Sequence, residues 1–429
     1  SEGNLGKCPR CGTGAGKFES VLRPFQTGDE APTAVLAEEL LRGLPPAAEG
    51  HTLPADGRRL IAFSDSRQRA AFFAPYLART SVSTEYDPGL LEALAQCLSV
   101  SAGEPVACET VVSRFADSLR HRPVVFLPAE GEDEVTDFLV RTPRDLSNVE
   151  WGKIRRYARI RLWEQVCKGP RQRRTWAGVG LLVPTVELGA DVIHAFARRS
   201  GLPSEHLDVL LQVLLRHATA NRAIAFEERA DGGLRANDLG PGDRDATLHF
   251  NMSGRVDGRR RHRWSPFGLE ARSVNRSYCA KVVAGFLGAP VTDEAVRRIL
   301  EASWDVFRDH GILRSYGDAG GEYQLPESRV VLAAPSEWRL CARCGHLAKW
   351  SPRGRCALPG CDGATTRLGL EGIERREERN HYRQRLLANE PFGLVVKEHT
   401  AQLENTAGRE YQRGFIAGRI NVLSTSTTF

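Results

Sequence analysis

Two stretches far apart in the chain share one pattern of apolar and polar positions. Leu60-Ile61-Ala62-Phe63 is a short apolar run that ends in Ser64-Asp65-Ser66, and a segment rich in Ala and Phe follows from Arg69 to Thr80. The pattern predicts a buried parallel strand feeding a helix. Ser64, Asp65 and Ser66 are all suitable N-caps, and the free amides of such a helix end can hold a phosphate. Downstream, 393–400 again reads as a strand ending in polar residues. Residues 405–417 read as a helix with Tyr411 and Phe415 on one face, and 420–429 as a strand entering a hydroxyl-rich turn. The order is βα…βαβ, that of a parallel sheet.

About 310 residues separate Thr80 from Leu394, far more than a loop. The intervening chain is expected to fold on its own with its ends close together. Its first part, 86–276, reads as mainly helical, with a stripe at Leu90, Leu91, Leu94 and Leu98 and a strong helix at 207–215. Residues 151–166 mix apolar positions with Arg155, Arg156, Arg159 and Arg161. That is either a basic face for nucleic acid or the solvated charged face of a core helix. Within the polar, Gly-rich 228–276, Arg259, Arg260, Arg261 and Arg263 surround His262 and Trp264. Arg260, Arg261 and Trp264 suit phosphate contact plus base stacking, and a flexible basic loop is the plainer alternative.

Residues 277–335 read as a winged-helix-like module. Thr292 caps a helix over 293–310 whose Val296, Ile299, Leu300, Ser303 and Phe307 share a face, Gly311 ends it, and a hairpin wing follows. Such modules bind duplex DNA or simply pack against neighbours. Residues 32–46 predict a further helix. Residues 370–390 predict a charged one with a solvated face, stopped at Asn389-Glu390-Pro391.

A length of 429 residues with 41% hydrophobic positions suits two to four folded domains. No apolar run approaches the roughly 20 residues that span a bilayer, and Ser1-Glu2-Gly3-Asn4 shows no signal-peptide pattern, so a cytoplasmic location without membrane partners is expected. The net charge of +6 permits a nucleic-acid partner without requiring one. Seven lysines leave 52 arginines among the 59 basic residues, and Arg suits bidentate phosphate contact.

Ten cysteines include two clusters, which in a cytosolic chain favour metal over disulfides. Cys341-Ala342-Arg343-Cys344-Gly345 and Cys356 to Cys361 form two knuckles separated by eleven residues. They can place four thiolates around one structural Zn2+. Four Cys close such a site, so zinc catalysis is not expected, and His346 is a surplus candidate. Cys8-Pro9-Arg10-Cys11-Gly12 is half of a second ribbon, whose other ligands are expected before Ser1 or, less simply, at Cys97 and Cys108. The segment 12–18 is no phosphate loop, because Cys11 and Phe18 occupy positions that need Gly and Ser or Thr. Asp29-Glu30 and Asp293-Glu294 lack the following residues and the preceding strand of a helicase Asp-Glu box.

Phe63-Ser64-Asp65-Ser66-Arg67-Gln68, Glu398-His399-Thr400-Ala401-Gln402 and Ile420 to Thr428, in that order, resemble the second RecA-like domain of superfamily 2 DEAD/DEAH-type helicases. The wording is most similar to large bacterial helicases with zinc-binding insertions, of the DNA repair and anti-phage defence type. The resemblance covers roughly a quarter of the chain. It implies an incomplete RecA-like parallel sheet split by the long insert, in an α/β chain. The implied segments are 1–30 half knuckle, 31–85 first part of the RecA-like domain, 86–276 helical insert, 277–335 winged-helix-like module, 336–368 zinc ribbon and 369–429 remainder of the RecA-like domain. It also implies that Ser64, Arg67, Gln68, His399, Thr400, Ser426 and Thr427 touch a nucleic-acid backbone. Ser426 stands where the family usually has Thr, which keeps the hydroxyl. ATP and Mg2+ are then expected in the parent protein only, and the fragment alone is expected to be inactive. Implied partners are DNA, single-stranded or at a duplex junction, the rest of the same helicase chain, and defence-system subunits. The alternatives are a non-enzymatic zinc-ribbon/winged-helix DNA-binding adaptor and, with no catalytic constellation to support it, a metabolic α/β enzyme.

Overall fold

The computed structural model describes residues 30–426 apart from 49, 65, 129–137, 169–174, 230–232, 235, 240–277, 289, 316–322, 359–360, 362, 389–392, 401–402 and 404. The strands are β1 Leu60–Ser64, β2 Val106–Ala107, β3 Val125–Pro128, β4 Phe138–Arg141, β5 Val183–Val186, β6 Ile224–Ala225, β7 Arg314–Ser315, β8 Tyr323–Pro326, β9 Val330–Ala333, β10 Glu337–Cys341, β11 Leu347–Ala348, β12 Thr365–Gly369, β13 Val396–His399 and β14 Val422–Ser426. The helices are α1 Glu30–Gly43, α2 Arg67–Val100, α3 Cys108–Leu119, α4 Asn148–Cys167, α5 Ala190–Ser200, α6 Leu207–Ala220, α7 Tyr278–Leu287, α8 Asp293–Asp309, α9 Leu370–Glu377, α10 His381–Ala388 and α11 Asn405–Ile416. The fold is mixed α/β with several small sheets. Among the described residues, no helix is long and apolar enough to cross a membrane.

Two compact units emerge. One comprises the described residues within Pro24–Gln96, Val111–Arg161 and Gln384–Phe429. Its centre is a three-stranded parallel sheet in the order β1-β14-β13. Leu60 pairs with Val422 and Ser64 with Ser426, while Val396 pairs with Val422 and His399 with Thr425. The middle strand β14 is buried along its length, as a parallel strand covered on both faces must be. On one face α1 and α2 contribute Leu41, Phe73 and Leu77 to a core with Leu394, Val396 and Val422. On the other, Val395, Ile420 and Leu423 meet Tyr411 and Phe415 of α11 and Phe126 and Val140 of the β3–β4 hairpin. Asn421, fully buried, ties the strands' entry together. Its Nδ2 donates to the Gly393 carbonyl at 2.9 Å, and its Oδ1 accepts the Val395 N–H at 2.8 Å.

Several expectations change in this unit. Among the described residues β1 has a strand neighbour on one side only, and its Ile61 and Phe63 are exposed, so it is not the buried strand expected. The helix after it does not stop near Thr80 but runs to Val100, with Pro75 and Pro88 inside, each withdrawing one backbone donor. Part of the expected insert, Val111–Arg161, clusters with the sheet instead of apart from it. The arginines of α4 form neither a free basic face nor a wholly solvated one. Arg159 is buried, and Arg161 pairs with buried Asp87 at 3.1 Å.

The other unit comprises the described residues within Cys97–Thr110 and Leu162–Arg383. Thr292 caps α8 by accepting the Ala295 N–H at 3.2 Å. Val296, Ile299, Leu300, Ser303 and Phe307 of that helix are all buried, and Gly311 follows at φ +63°. The β7 and β8 strands pair antiparallel, and β8 also pairs in parallel with β6. The single charged helix expected over 370–390 is two, because the Asn380 side chain accepts the Tyr382 N–H at 3.0 Å and starts α10. Glu377, expected on a solvated face, is buried beside Arg376 at 2.7 Å.

On α6, burial holds the His217 imidazole neutral down to a pKa of about 3. The unfolded chain takes up that proton near the ordinary His value, so this group's stabilisation is present above about pH 6.5 and is lost as pH falls towards 3. An upper bound of about 5 kcal/mol follows from about 1.4 kcal/mol per pKa unit. Denaturant melts at pH 7 and pH 5 are expected to show a loss in the native chain that is smaller in His217→Gln. Equal losses would remove His217 as the cause.

Candidate metal centre and polar strand ends

The sharpest chemistry sits in the ribbon β11-β10-β12. The first knuckle turns out of β10 at Cys341. The Gly345 N–H donates back to the Cys341 carbonyl at 2.9 Å, and Gly345 takes φ +68°, a conformation glycine adopts without strain. The second knuckle is closed by the Cys356 N–H donating to the Gly363 carbonyl at 2.9 Å and the Cys361 N–H to the Leu358 carbonyl at 3.0 Å. The Sγ atoms of Cys341, Cys344, Cys356 and Cys361 all lie within 4.8 Å of one another. Cys341 Sγ is 3.7 Å from Cys361 Sγ, and Cys344 Sγ is 3.7 Å from Cys356 Sγ. A tetrahedron with metal–sulfur bonds of about 2.3 Å has edges of about 3.8 Å, so the thiols fit a tetrahedral metal ion such as zinc. His346 is not in this group.

The local electrostatics prepare one thiolate. Burial pushes the Cys341 thiol up, but the N–H groups of Cys344 and Arg343 and neighbouring thiols bring it down to about 7. Cys344 is pushed up by burial to about 11, and Cys356 is raised too, by burial and then by the other sulfurs. Without a cation, four sulfurs this close resist ionising together, and a bound metal relieves that cost. A residue not foreseen is Gly363. A Cβ there would lie 2.6 Å from Cys341 Sγ, so the second knuckle needs a glycine to approach the first. The signal was the Cys361-Asp362-Gly363 sequence itself.

In the first unit, polar residues gather where the parallel strands end. Ser64 closes β1, and its Oγ accepts the Ser66 N–H at 3.3 Å. Ser66 Oγ in turn accepts the Arg69 N–H at 3.4 Å, the N-cap bond expected for α2. Arg67 opens that helix, and Gln68 beside it is exposed. Ser426 lies opposite Ser64 and is buried. His399 closes β13 opposite Thr425, its ring facing Gly408 of α11. Thr400 is buried, and its hydroxyl donates to Glu398 Oε1 at 2.5 Å. Glu398 was not among the expected site residues, although it adjoins two of them. The Ser424 hydroxyl does structural work, donating to the Ala70 carbonyl at 2.8 Å.

The structure thus brings Ser64, Ser426, His399 and Thr400 to the carboxyl end of one sheet. Thr427, Arg260, Arg261, Trp264, Cys8 and Cys11 lie outside the described residues. No protein-family model, no curated protein and no solved structure matches this chain, so its sites rest on its own residues and their geometry.

Proposed function

We propose that this chain is the nucleic-acid-binding part of an ATP-dependent DNA helicase or translocase of superfamily 2, working in bacterial phage defence or DNA repair. The observation that carries the reading is the meeting of Ser64, Ser426, His399 and Thr400 at the carboxyl ends of three adjacent parallel strands. Open parallel sheets take ligands at that end. Hydroxyls and strand-end amides are neutral donors, suited to phosphate oxygens that carry register but no sequence information. On this reading the three-stranded sheet is RecA-like, and ATP and Mg2+ are held by another lobe of the same motor. The ribbon's four thiols hold structural Zn2+, and the ribbon guides the strand or separates the duplex.

The test is fluorescence anisotropy with a single-stranded oligonucleotide. Ser64→Ala is expected to weaken binding by about tenfold, the worth of one hydrogen bond to a charged group. Its salt slope should be unchanged, because no cation is removed. Unaltered affinity in both Ser64→Ala and Ser426→Ala would overturn the assignment.

A second reading has its own support: α7, α8 and the β7–β8 pair, read as winged-helix-like, precede the thiol ribbon in one unit. That order suits a DNA-binding adaptor without enzymatic activity. DNA-stimulated ATP hydrolysis by the full-length protein separates the two, being expected of the motor and absent from the adaptor.

A further inference from the structure

We propose that the outer face of the thiol ribbon is a phosphate-contact surface, on which Arg339 and Arg367 together hold the backbone of a single nucleic-acid strand. The three ribbon strands lie within one unit. Side chains alternate between the two faces of β10 and β12. Trp338, Leu347 and Leu368 take the face that packs on Ile373. The opposite face therefore carries Arg339 and Arg367, which the strand register sets directly across from each other.

Like charges directly opposite destabilise a strand pair. Here a single carboxylate serves both cations. Glu337 Oε1 lies 3.1 Å from Arg339 Nη2, and Glu337 Oε2 lies 2.5 Å from Arg367 Nε. Two cations on one anion leave one positive charge in excess, which an arriving phosphate offsets. Because Glu337 engages Arg367 through Nε, neither Nη group of Arg367 has a hydrogen-bond partner among the described residues. The Arg367 side chain is 75% exposed and that of Arg339 39%, so both forks are open to a ligand from solvent. Their shared carboxylate holds them in place beforehand, which lowers the ordering cost of the contact.

The rest of the face narrows the partner. Ala348 and Gly369 are small, and the Thr365 hydroxyl is engaged with Ser351 Oγ at 2.6 Å. A protein partner needs a large apolar or aromatic anchor at the centre of its interface, and this face offers none. A guanidinium fork matches phosphate oxygens bidentately, and two forks side by side suit the repeated charge of a polymer. Those features favour a nucleic-acid backbone over an acidic polypeptide. The inference rests on the nucleic-acid reading above and adds to it the ribbon residues that make the contact.

The experiment is fluorescence anisotropy of the intact metal-loaded chain with a single-stranded oligothymidylate over a salt series. Each cation that contacts a phosphate of a single strand contributes about 0.7 to the slope of log affinity against log salt. Arg339→Gln and Arg367→Gln are each expected to lower the slope by about 0.7, and the double variant by about 1.4. Relative to 1 M salt, each single variant then loses roughly fivefold in affinity at 0.1 M. Arg367→Lys, which keeps the charge, should keep the slope. Metal content and near-ultraviolet circular dichroism should be unchanged in all four.

Native slopes in both Gln variants overturn the surface. Cys341 follows Arg339 on the same face, so guanidiniums that only balance the thiol centre would show lost metal with the native slope, which also overturns it. Polyglutamate of equal charge should compete poorly. Competition as strong as that of the oligonucleotide, and lost in the same variants, would make the partner an acidic protein and overturn the nucleic-acid assignment. Ser64→Ala separates this surface from the sheet ends. A weakened Ser64→Ala beside native slopes in the arginine variants removes the ribbon surface alone. Lowered slopes beside native affinity in Ser64→Ala and Ser426→Ala support the ribbon and remove the sheet-end assignment. No binding of the oligonucleotide by the native chain removes both.

Discussion

Stripping metal from the ribbon with a strong chelator, or replacing Cys341 by Ser, is expected to unfold the ribbon. Its own hydrophobic core is small: Val183, Trp338, Leu347 and Ile373, with Leu368 against them. Such a core cannot hold three short strands against their conformational entropy. Structural zinc contributes about 10–16 kcal/mol of apparent binding energy in small thiolate sites, so its loss outweighs every other single change considered. The readout is the near-ultraviolet circular dichroism of buried Trp338, which should collapse with chelator and return with Zn2+. Metal near one per chain is expected from the four cysteines, and Cys341→Ser should lower it. An unchanged spectrum and melting curve in chelator would show that the thiols hold no structural ion.

The second large effect is expected at Asn421. Its amide is fully buried and makes two bonds to backbone, one to Gly393 and one to Val395. Asn421→Leu strands both groups in the core, at about 1–3 kcal/mol each. For a unit of this size about 3 kcal/mol lowers Tm by on the order of 10 °C. The metal content should stay as it was, since the ribbon belongs to the other unit. A Tm within 2 °C of the native chain would mean that β13 and β14 are not joined through this side chain.

What could be read in advance follows from how local each signal was. The pairing of β1 with β14 was legible because each strand is an apolar run closed by hydroxyls, a pattern that survives separation by the whole insert. The four thiols were legible from spacing alone, and α8 from Thr292 and a 3.6-residue stripe. The rest depended on distant partners. The β3–β4 hairpin covers the sheet through Phe126 and Val140, and neither residue advertises that contact locally. Arg161 looked like a free cation because its partner, Asp87, lies 74 residues earlier. The break at Asn380 was hidden in a run of good helix formers, where one capping side chain outweighs propensity. Gly363 was passed over because its role, making room for Cys341 Sγ, exists only once the two knuckles meet.

Hydrogen exchange of the chain with and without a single-stranded oligonucleotide tests the central claim most directly. The account predicts slowed exchange at 64–68, 398–400 and 424–426, the carboxyl ends of β1, β13 and β14. Binding of the oligonucleotide without slowed exchange at any of these three ends would contradict it.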